Sequence, residues 1–334
     1  MTRRRSVTSV DVARAAGVSQ TTVSLVFSGR AAGRVSDRTR ALVEQTAAAL
    51  GYVPSGPARV LRGGRPQVLA LAVPDVRNPY FGRVLLGAEQ AARDADMAVL
   101  LVDTVSDRDW ADRLVEMSKI GMFAGAVVYA EPVAVTSRLA EDVDNVVFVE
   151  CPDPAGRSAV DIDIPAAMRA VVTHLHDLGH RRIGHAQADM HRRTFQLREQ
   201  FLTSELARHG IRLRPDWRYR SPFDIDEATL RAVEFLRRTD VTALFCDDDI
   251  LVAALYRACA RLDIAVPTQL SLVGFNDVDL ARYLSPEATS VAIPAEELGR
   301  LAVQALLADM NGADPTQVTA PLTLTIRDST ARAR

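Results

Sequence analysis

The chain has 334 residues, of which 48% are hydrophobic and 25% charged, with a formal net charge of -2. This length predicts two or three folding units, and the composition is ordinary for a soluble globular protein. Residues 1 to 65 hold eleven arginines against Asp11, Asp37 and Glu44, which gives +8 and leaves about -10 for the remainder. Such segregation predicts that a polyanion binds the N-terminal part alone.

Cysteine content and hydropathy exclude several other classes of protein. Cys151, Cys246 and Cys259 are odd in number and widely separated, which argues against a disulfide framework and favours buried, reduced thiols. No apolar segment follows the basic residues 1 to 6, and no run of about eighteen apolar residues exists to span a membrane. We therefore expect a cytoplasmic protein without a signal peptide.

The segment from Val10 to Leu50 has the pattern of three short helices with a tight turn between the first two. Gly17 is placed to end the first helix, and Ser19 and Ser36 are placed to cap the second and third. We expect the following residues to face the small core: Val12, Ala13, Ala16, Val23, Val26, Phe27, Leu42, Thr46, Ala49 and Leu50. The opposite face of the second helix then suits the major groove of DNA.

Three runs in and beside this segment, DVARAAGVSxxTVS, RVSDRTR and LGYVPS, resemble the DNA-binding headpiece of the LacI/GalR (lac-repressor) family of bacterial transcription regulators. The resemblance implies an all-α helix-turn-helix headpiece over residues 1–51 and a hinge helix and linker over residues 52–66. In the family an apolar hinge residue enters the minor groove, and by position that residue is Leu61. A flexible linker is the alternative interpretation of residues 52–66.

Base reading is expected from Gln20, Thr21 and Leu25. Many family members have arginine at the position of Leu25, where it can pair with guanine, whereas leucine offers apolar contact such as that to a thymine methyl. We therefore expect an altered operator preference. Other polar side chains match positions that hold phosphates in the family. The complete set of expected DNA contacts is Thr8, Ser19, Gln20, Thr21, Thr22, Ser24, Leu25, Ser36, Thr39, Tyr52, Ala58 and Leu61.

From residue 68 onward, short apolar runs alternate with amphipathic segments, which predicts buried parallel strands joined by helices. The predicted strands are VLALAV (68–73), MAVLLV (97–102), GAVVYA (125–130), VVFVE (146–150), RIGHA, TALFC and LSLVGF. The predicted helices cover residues 81–94, 107–120, 165–178, 194–209, 226–238, 250–262 and 295–310. Two such series predict two doubly wound lobes, with a ligand cleft between them.

Five motifs in this region resemble the family's effector domain, which is itself similar to periplasmic sugar-binding proteins. They are PDVRNPYF (74–81), LGHRRI (178–183), FCDDDILVAAL (245–255), VPTQLSLVGFND (266–277) and SPEATSVAIPAEELGRLAV (285–303). The resemblance implies a periplasmic-binding-protein-like α/β effector domain over residues 67–334, made of two doubly wound parallel-sheet lobes. The first lobe is expected at about 67–160 and 291–320, and the second at about 161–290 and 321–330.

The resemblance also implies effector-binding residues. Tyr80 and Phe81 match a position where an aromatic side chain packs against the ligand, and Phe223 is a weaker match; core packing is the alternative for these rings. Asp249 aligns with the family's ligand-binding Asp, although it is equally placed to cap a helix that begins at Ile250. Asn276 follows the GF pair where Asp is usual.

Two further departures concern the same cleft. Leu197 holds the position of the family's ligand-binding arginine, which leaves Arg193 and Arg198 as alternatives, and Asp248 stands where Asn is usual. These departures therefore leave open the possibility that the ligand differs from the sugars and nucleobases common in the family. The expected effector contacts are Tyr80, Phe81, Arg193, Arg198, Phe223, Asp249 and Asn276.

We expect no metal, cofactor or catalytic centre. Asp247, Asp248 and Asp249 are adjacent, but neighbouring residues at a strand end point in alternating directions. All six histidines fall between His174 and His209, a cluster better explained by surface or structural roles than by zinc. GxSxG, GxGxxG and P-loop motifs are absent from the sequence.

The sequence therefore predicts a ligand-responsive DNA-binding transcription regulator, most simply a repressor, that binds a pseudo-palindromic operator as a homodimer. Its expected partners are double-stranded operator DNA, a second copy of the chain, and a sugar or related metabolite. No apolar heptad follows Arg327 to form a tetramer. A periplasmic solute-binding protein would need an export signal and no basic headpiece, and a sugar-modifying enzyme would need a nucleophile and a base.

Overall fold

The structure is a computed structural model that describes residues 7–27, 31–52, 66–105, 109–129, 132–151 and 156–333. The chain divides into two compact units, Met1–Val68 with Glu116–Ala124, and Leu69–Val115 with Gly125–Arg334. We call residues 7–52 the headpiece and residues 68–333 the body. Within the described ranges, no helix is both long and apolar enough to cross a membrane.

Three capped helices form the headpiece: α1 (Ser9–Ala16), α2 (Gln20–Phe27) and α3 (Asp37–Leu50). Gly17 ends α1 in the left-handed conformation, with φ of 64°. The hydroxyl oxygens of Ser19 and Ser36 accept backbone N–H groups at 3.1 and 3.2 Å and so cap α2 and α3. These caps satisfy donors that a helix start leaves free, and they confirm the predicted helix ends.

The headpiece core is smaller than predicted on α3. Val12, Val23 and Val43 are fully buried, and the surrounding core is mostly alanine and valine. The prediction for α3 was wrong: Leu42 and Leu50 are 47% and 40% exposed. Ala49 is also exposed and Thr46 is half-buried. The buried positions of α3 are instead Val43 and Ala47, because the inward face is rotated by one residue, about 100°, from the predicted one.

The body contains two six-stranded sheets. The first has the strand order β11-β5-β4-β3-β1-β2, and its neighbours from β11 to β1 are parallel. Its strands are β1 (Val68–Val73), β2 (Ala98–Asp103), β3 (Gly125–Tyr129), β4 (Val146–Val149), β5 (Ala159–Ile162) and β11 (Gln317–Ala320). The helices of this first lobe are α4 (Pro79–Asp94), α5 (Trp110–Lys119), α6 (Val133–Asp142) and α12 (Ala295–Met310).

The second sheet has the order β12-β10-β9-β8-β6-β7, and β12 is antiparallel to β10 while the other neighbours are parallel. Its strands are β6 (Ile183–Ala188), β7 (Arg218–Ser221), β8 (Ala243–Cys246), β9 (Ser271–Asn276), β10 (Thr289–Ala292) and β12 (Thr323–Thr325). The helices of this second lobe are α7 (Ile164–Asp177), α8 (Arg193–Arg208), α9 (Ile225–Leu236), α10 (Asp249–Arg261) and α11 (Asp279–Tyr283), with a short 3-10 turn at Pro215–Trp217.

This architecture confirms the prediction of two doubly wound lobes. The chain passes between them three times, after β5, β10 and β11, and β5 and β10 run about two residues beyond the expected bounds near 160 and 290. One predicted property was wrong: β2 is not buried, and Leu100 and Leu101 are 36% and 38% exposed. As an edge strand, β2 lacks a neighbour on its outer side.

Two glycines let α4 and α12 approach closely. A Cβ atom on Gly87 would lie 1.8 Å from the carbonyl oxygen of Glu296, and one on Gly299 would lie 2.0 Å from that of Val84. Helix axes can come this near because glycine has no side chain. This contact fixes the start of α4, which carries Tyr80 and Phe81, against the rest of the first lobe.

We expect Gly87→Ala to lower the free energy of unfolding by about 1 to 3 kcal/mol, because the added methyl group meets backbone that cannot move aside. Gly82→Ala is the matched control, since a Cβ atom there has no neighbour within 4 Å. The control should be neutral or gain up to about 1 kcal/mol from helix propensity. Urea unfolding of both variants measures the difference, and equal stabilities would contradict the close approach.

Candidate functional site

The exposed face of α2 is the candidate nucleic-acid interface. Gln20 and Thr21 are exposed, Leu25 is half-buried, and Val23 and Val26 point into the core. This is the division of faces that the sequence predicted. The Gln20 side chain donates to the Ser9 hydroxyl at 3.1 Å, so its position is already fixed by α1.

Two hydroxyl pairs lie at helix starts of the headpiece. The side-chain oxygens of Ser19 and Thr22 are 2.8 Å apart, and those of Ser36 and Thr39 are also 2.8 Å apart. A helix start carries free N–H groups and a partial positive charge, so hydroxyls there are well placed beside phosphate. Thr8 occupies the equivalent position on α1, where it shares a capping box with Asp11, and Ser24 is half-buried on α2.

Tyr52 has a structural contact that the sequence did not predict. Its ring packs edge-on against Phe27 with 5.6 Å between centroids, at the border of the headpiece core. Tyr52 therefore stabilises the end of α3 whatever it contacts outside. The remaining predicted DNA contacts, Ala58 and Leu61, lie outside the described residues.

A second candidate site is a cavity of about 50 Å³ between the two lobes of the body. Both lobes contribute to its wall at the carboxyl ends of their strands, as expected for doubly wound sheets. The lining residues are Pro74, Asp75, Asn78, Tyr80, Phe81, Glu150, Met190, Arg192, Thr194, Phe195, Arg198, Phe223, Asp248 and Asn276.

Aromatic rings from both lobes face this cavity. In the first lobe, Phe81 packs edge-on against Tyr80 and Tyr129, at 4.9 and 5.7 Å between centroids. In the second lobe, Phe195 and Phe223 form another edge-on pair at 5.9 Å. Such rings offer flat apolar faces to a small ligand, while the polar groups between them fix its orientation.

Arg198 is the buried cation of the cavity, with 3% of its surface exposed. One guanidinium nitrogen donates to the Asp247 carbonyl and the other donates to the Thr194 hydroxyl at 3.1 Å. The guanidinium lies 3.6 Å from the centroid of the Phe275 ring, whereas its Nε–H has no partner among the described residues. Burial lowers the pKa of Arg198, and nearby carboxylates oppose that shift. Arg198 thus keeps unused donor capacity beside the cavity.

Glu150 is an acidic group that the sequence analysis missed. It follows β4, adopts a left-handed backbone with φ of 53°, and is 4% exposed. Its carboxylate accepts the Tyr80 hydroxyl at 3.1 Å. Burial raises the pKa of Glu150, and the Arg198 charge opposes the shift. The rule that ligands bind beyond strand ends pointed to this position, because Glu150 ends the predicted run VVFVE.

Asp248 is the other missed acid, and three donors converge on it. Its carboxylate caps α10 by accepting Ile250 N–H at 2.9 Å, and its Oδ2 accepts the side-chain amides of Asn78 and Asn276 at 2.9 and 2.8 Å. Burial raises the pKa of Asp248 to about 6, although these donors favour the charged form. Asp248 is therefore a fully bonded acceptor in the cavity wall.

Two expected effector contacts lie elsewhere. Asp249 is fully buried, where its carboxylate accepts the Ser290 hydroxyl at 2.6 Å and Val278 N–H at 2.9 Å. It is the first residue of α10 and not its cap, which is Asp248, because residue 248 still has an extended backbone. Arg193 pairs with Asp161 at 3.0 Å outside the cavity wall. The structure thus brings Arg198, and not Arg193, into the cavity.

Five of the seven expected residues line the cavity: Tyr80, Phe81, Arg198, Phe223 and Asn276. The three adjacent carboxylates have different partners, since Asp247 accepts the ring Nε2–H of His185 at 2.8 Å and Ala188 N–H at 2.9 Å. Over the described ranges, no group of three or more His, Cys, Asp or Glu side chains is arranged to hold a metal ion.

Comparisons with known proteins match both parts of the chain. Residues 9–55 match the model for bacterial regulatory proteins of the lacI family, and residues 172–330 match that of a periplasmic binding protein-like domain. The ribose operon repressor of Haemophilus influenzae is 30% identical over 89% of this chain and 90% of its own length. The transcriptional repressor CytR of Escherichia coli K12 is 27% identical over 92% of this chain and 91% of its own.

Solved structures of other proteins share the fold of this chain. A LacI-family regulator from Silicibacter pomeroyi is 27% identical, with a TM-score of 0.82 over 98% of this chain and 100% of that one. The lac repressor dimer bound to operator and an anti-inducer has a TM-score of 0.86 at 22% identity, over 98% and 100%, and this likeness shows the shared fold. The chain therefore belongs to the lacI family of bacterial regulatory proteins.

Proposed function

We propose that this regulator reads operator base edges with Gln20, Thr21 and Leu25 on α2, and holds phosphates with the hydroxyls at the helix starts. The single observation that supports this most is the division of α2, whose polar face is exposed while Val23 and Val26 anchor the other face. The charge of the first 65 residues favours a polyanion. Like the relatives that it matches, the chain is a transcriptional regulator and not an enzyme.

Leu25→Arg tests base reading. We expect the variant to gain a preference for guanine at one position of each half-site, by about 1 to 3 kcal/mol over other bases, because arginine can pair with guanine and leucine cannot. Selection from random duplexes measures the preference. Leu42→Arg adds the same charge at an exposed position of α3. An unchanged preference in Leu25→Arg, or the same change in both variants, would remove Leu25 from the base-reading set.

We also propose that the cavity binds a small polar metabolite, with Arg198 donating to it and Glu150 accepting from it. A sugar hydroxyl can accept and donate at once, which suits a buried guanidinium and a buried carboxylate in one cavity. The aromatic rings of Phe81 and Phe223 would pack on its flat faces. The similarity to a ribose operon repressor supports pentoses as the first candidates to test.

Arg198→Met tests the cavity, with Arg193→Met as the matched control at a partly exposed arginine five residues away. A panel of pentoses, hexoses, nucleosides and small acids is first screened for compounds that raise the melting temperature of the wild type. We expect affinity for such a compound to fall roughly 10- to 100-fold in Arg198→Met, because a hydrogen bond to a charged group is lost. Arg193→Met should bind as the wild type does, and the reverse pattern would contradict the assignment.

We further propose that the chain acts as a homodimer through the outer face of its first lobe. Leu86 on α4 is 59% exposed, and Leu100, Leu101 and Val105 in and after the edge strand β2 are 36%, 38% and 45% exposed. An exposed edge strand bordered by apolar side chains is a surface that a second copy can cover. A dimer also supplies the two headpieces that a two-fold operator requires.

Leu100→Asp should convert the dimer to a monomer at micromolar concentration, because a buried unpaired charge would replace an apolar contact at the interface. Sedimentation velocity measures the change. Val133→Asp is the matched control, since Val133 is an apolar residue of the same lobe that is 55% exposed on α6. A wild type that sediments as a monomer, or a control that dissociates equally, would contradict this interface.

A further inference from the structure

One oxygen atom between the lobes accepts hydrogen bonds from both of them. Oδ2 of Asp248 receives the amide of Asn78, which precedes α4 in the first lobe, and the amide of Asn276, which ends β9 in the second. The three side chains are buried, with 7%, 2% and 5% of their surfaces exposed for Asn78, Asp248 and Asn276. The Asn78 bond therefore crosses between lobes, whereas the chemically equivalent Asn276 bond stays within one.

The local structure holds both ends of this bond in place. Asn78 caps α4, because its Oδ1 accepts Tyr80 N–H at 3.0 Å while its Nδ2 donates to Asp248. Asp248 caps α10 with its other carboxylate oxygen. The bond therefore joins the capping residues of two helices, α4 of the first lobe and α10 of the second. A shift of one lobe against the other must break the bond or distort a cap.

Two other polar contacts between the lobes are less protected from water. Arg193 of α8 pairs with Asp161 of β5, and both side chains are 32% exposed. Arg83 of α4 reaches the Asp277 carbonyl at 3.5 Å. Exposed pairs are screened and contribute little, whereas a buried hydrogen bond to a carboxylate is stronger. Asn78 and Asp248 are thus better placed than these two contacts to set the arrangement of the lobes, together with Glu150, which lies buried beside Thr194 and Arg198 of the second lobe.

We propose that the bond from Asn78 to Asp248 holds the two lobes in the arrangement that the structure shows. It shifts the balance between this arrangement and a displaced one by roughly 10- to 100-fold, the usual effect of a hydrogen bond to a charged group. Asp248 also lines the cavity, so a ligand hydroxyl or N–H that reaches its carboxylate competes with Asn78 for the same acceptor. This last consequence rests on the proposed effector cavity, whereas the bond itself does not.

Asn78→Ser and Asn276→Gly form a matched test. Serine retains a cap for α4 but is too short to reach Asp248. Glycine retains the positive φ of residue 276, which is 105°, and removes the other amide donor from the same oxygen. Spin labels on cysteines placed at Glu141 and Glu234, exposed residues of α6 and α9, report the distance between lobes. The three native cysteines are buried and should not react with the label.

Pulsed electron resonance is measured on ligand-free protein without DNA, with the labelled chain diluted into excess unlabelled chain. We expect Asn78→Ser to shift or broaden the distance distribution and Asn276→Gly to retain that of the wild type. An unchanged distribution in Asn78→Ser, or the same change in both variants, would overturn the proposal. If Asn78→Ser fails to fold, Asn78→Asp keeps the size and the cap and is measured in its place. Since neither DNA nor effector is used, a negative result leaves the proposed function standing.

Discussion

The stability of the body depends on the hydrogen bonds and opposite charges that compensate the charged groups buried between its two lobes. A carboxylate or guanidinium removed from water destabilises the fold unless hydrogen bonds or opposite charges compensate. Asp248 is compensated by three N–H donors, and Arg198 by a carbonyl, a hydroxyl and an aromatic face. Arg198 still has a donor without a partner among the described residues. The buried guanidinium thus keeps unused hydrogen-bonding capacity beside the cavity.

The same constraint connects the cavity to the scaffold. Asn78, Glu150 and Asp248 each lie at the end of a strand or the start of a helix, so their positions follow from the packing of whole elements. The contact of α4 with α12 at Gly87 fixes one side, and the buried bonds of Asp249 to Ser290 and Val278 fix the other. A change in the cavity must therefore move elements of a lobe together, which is the kind of two-state response that couples a ligand to a distant site.

Much of this was predictable from the sequence. The strands in apolar runs such as VLALAV and GAVVYA were predicted correctly, because a parallel strand that is buried on both faces is a nearly continuous apolar run. The caps at Ser19 and Ser36 and the turn at Gly17 followed from local chemistry. Short polar strands such as β7, RYRS, gave no such signal, since their pairing depends on a neighbour far along the chain. The exposure of β2 was missed for a similar reason: an edge strand and a central strand can carry the same apolar residues.

In the cavity, sequence reasoning identified Tyr80, Phe81, Phe223 and Asn276 but could not decide between Arg193 and Arg198. These arginines are five positions apart, and the face of α8 that turns inward is set by its packing. The sequence could not place Asp249, because adjacent carboxylates at a helix start differ only in backbone conformation, which puts Asp248 at the cap and Asp249 in the core. Which of several similar side chains meets a cavity is thus a property of the folded chain.

The central claim is that a ligand bound in the body changes the affinity of the headpiece for a specific DNA sequence. Fluorescence anisotropy of the full-length protein tests it most directly, with the duplex chosen by selection from random DNA and with a compound that stabilises the body. The account predicts tight binding to that duplex over random competitor, and an affinity that the compound changes about 5- to 150-fold. Equal affinity for selected and random duplexes, with and without the compound, would contradict it.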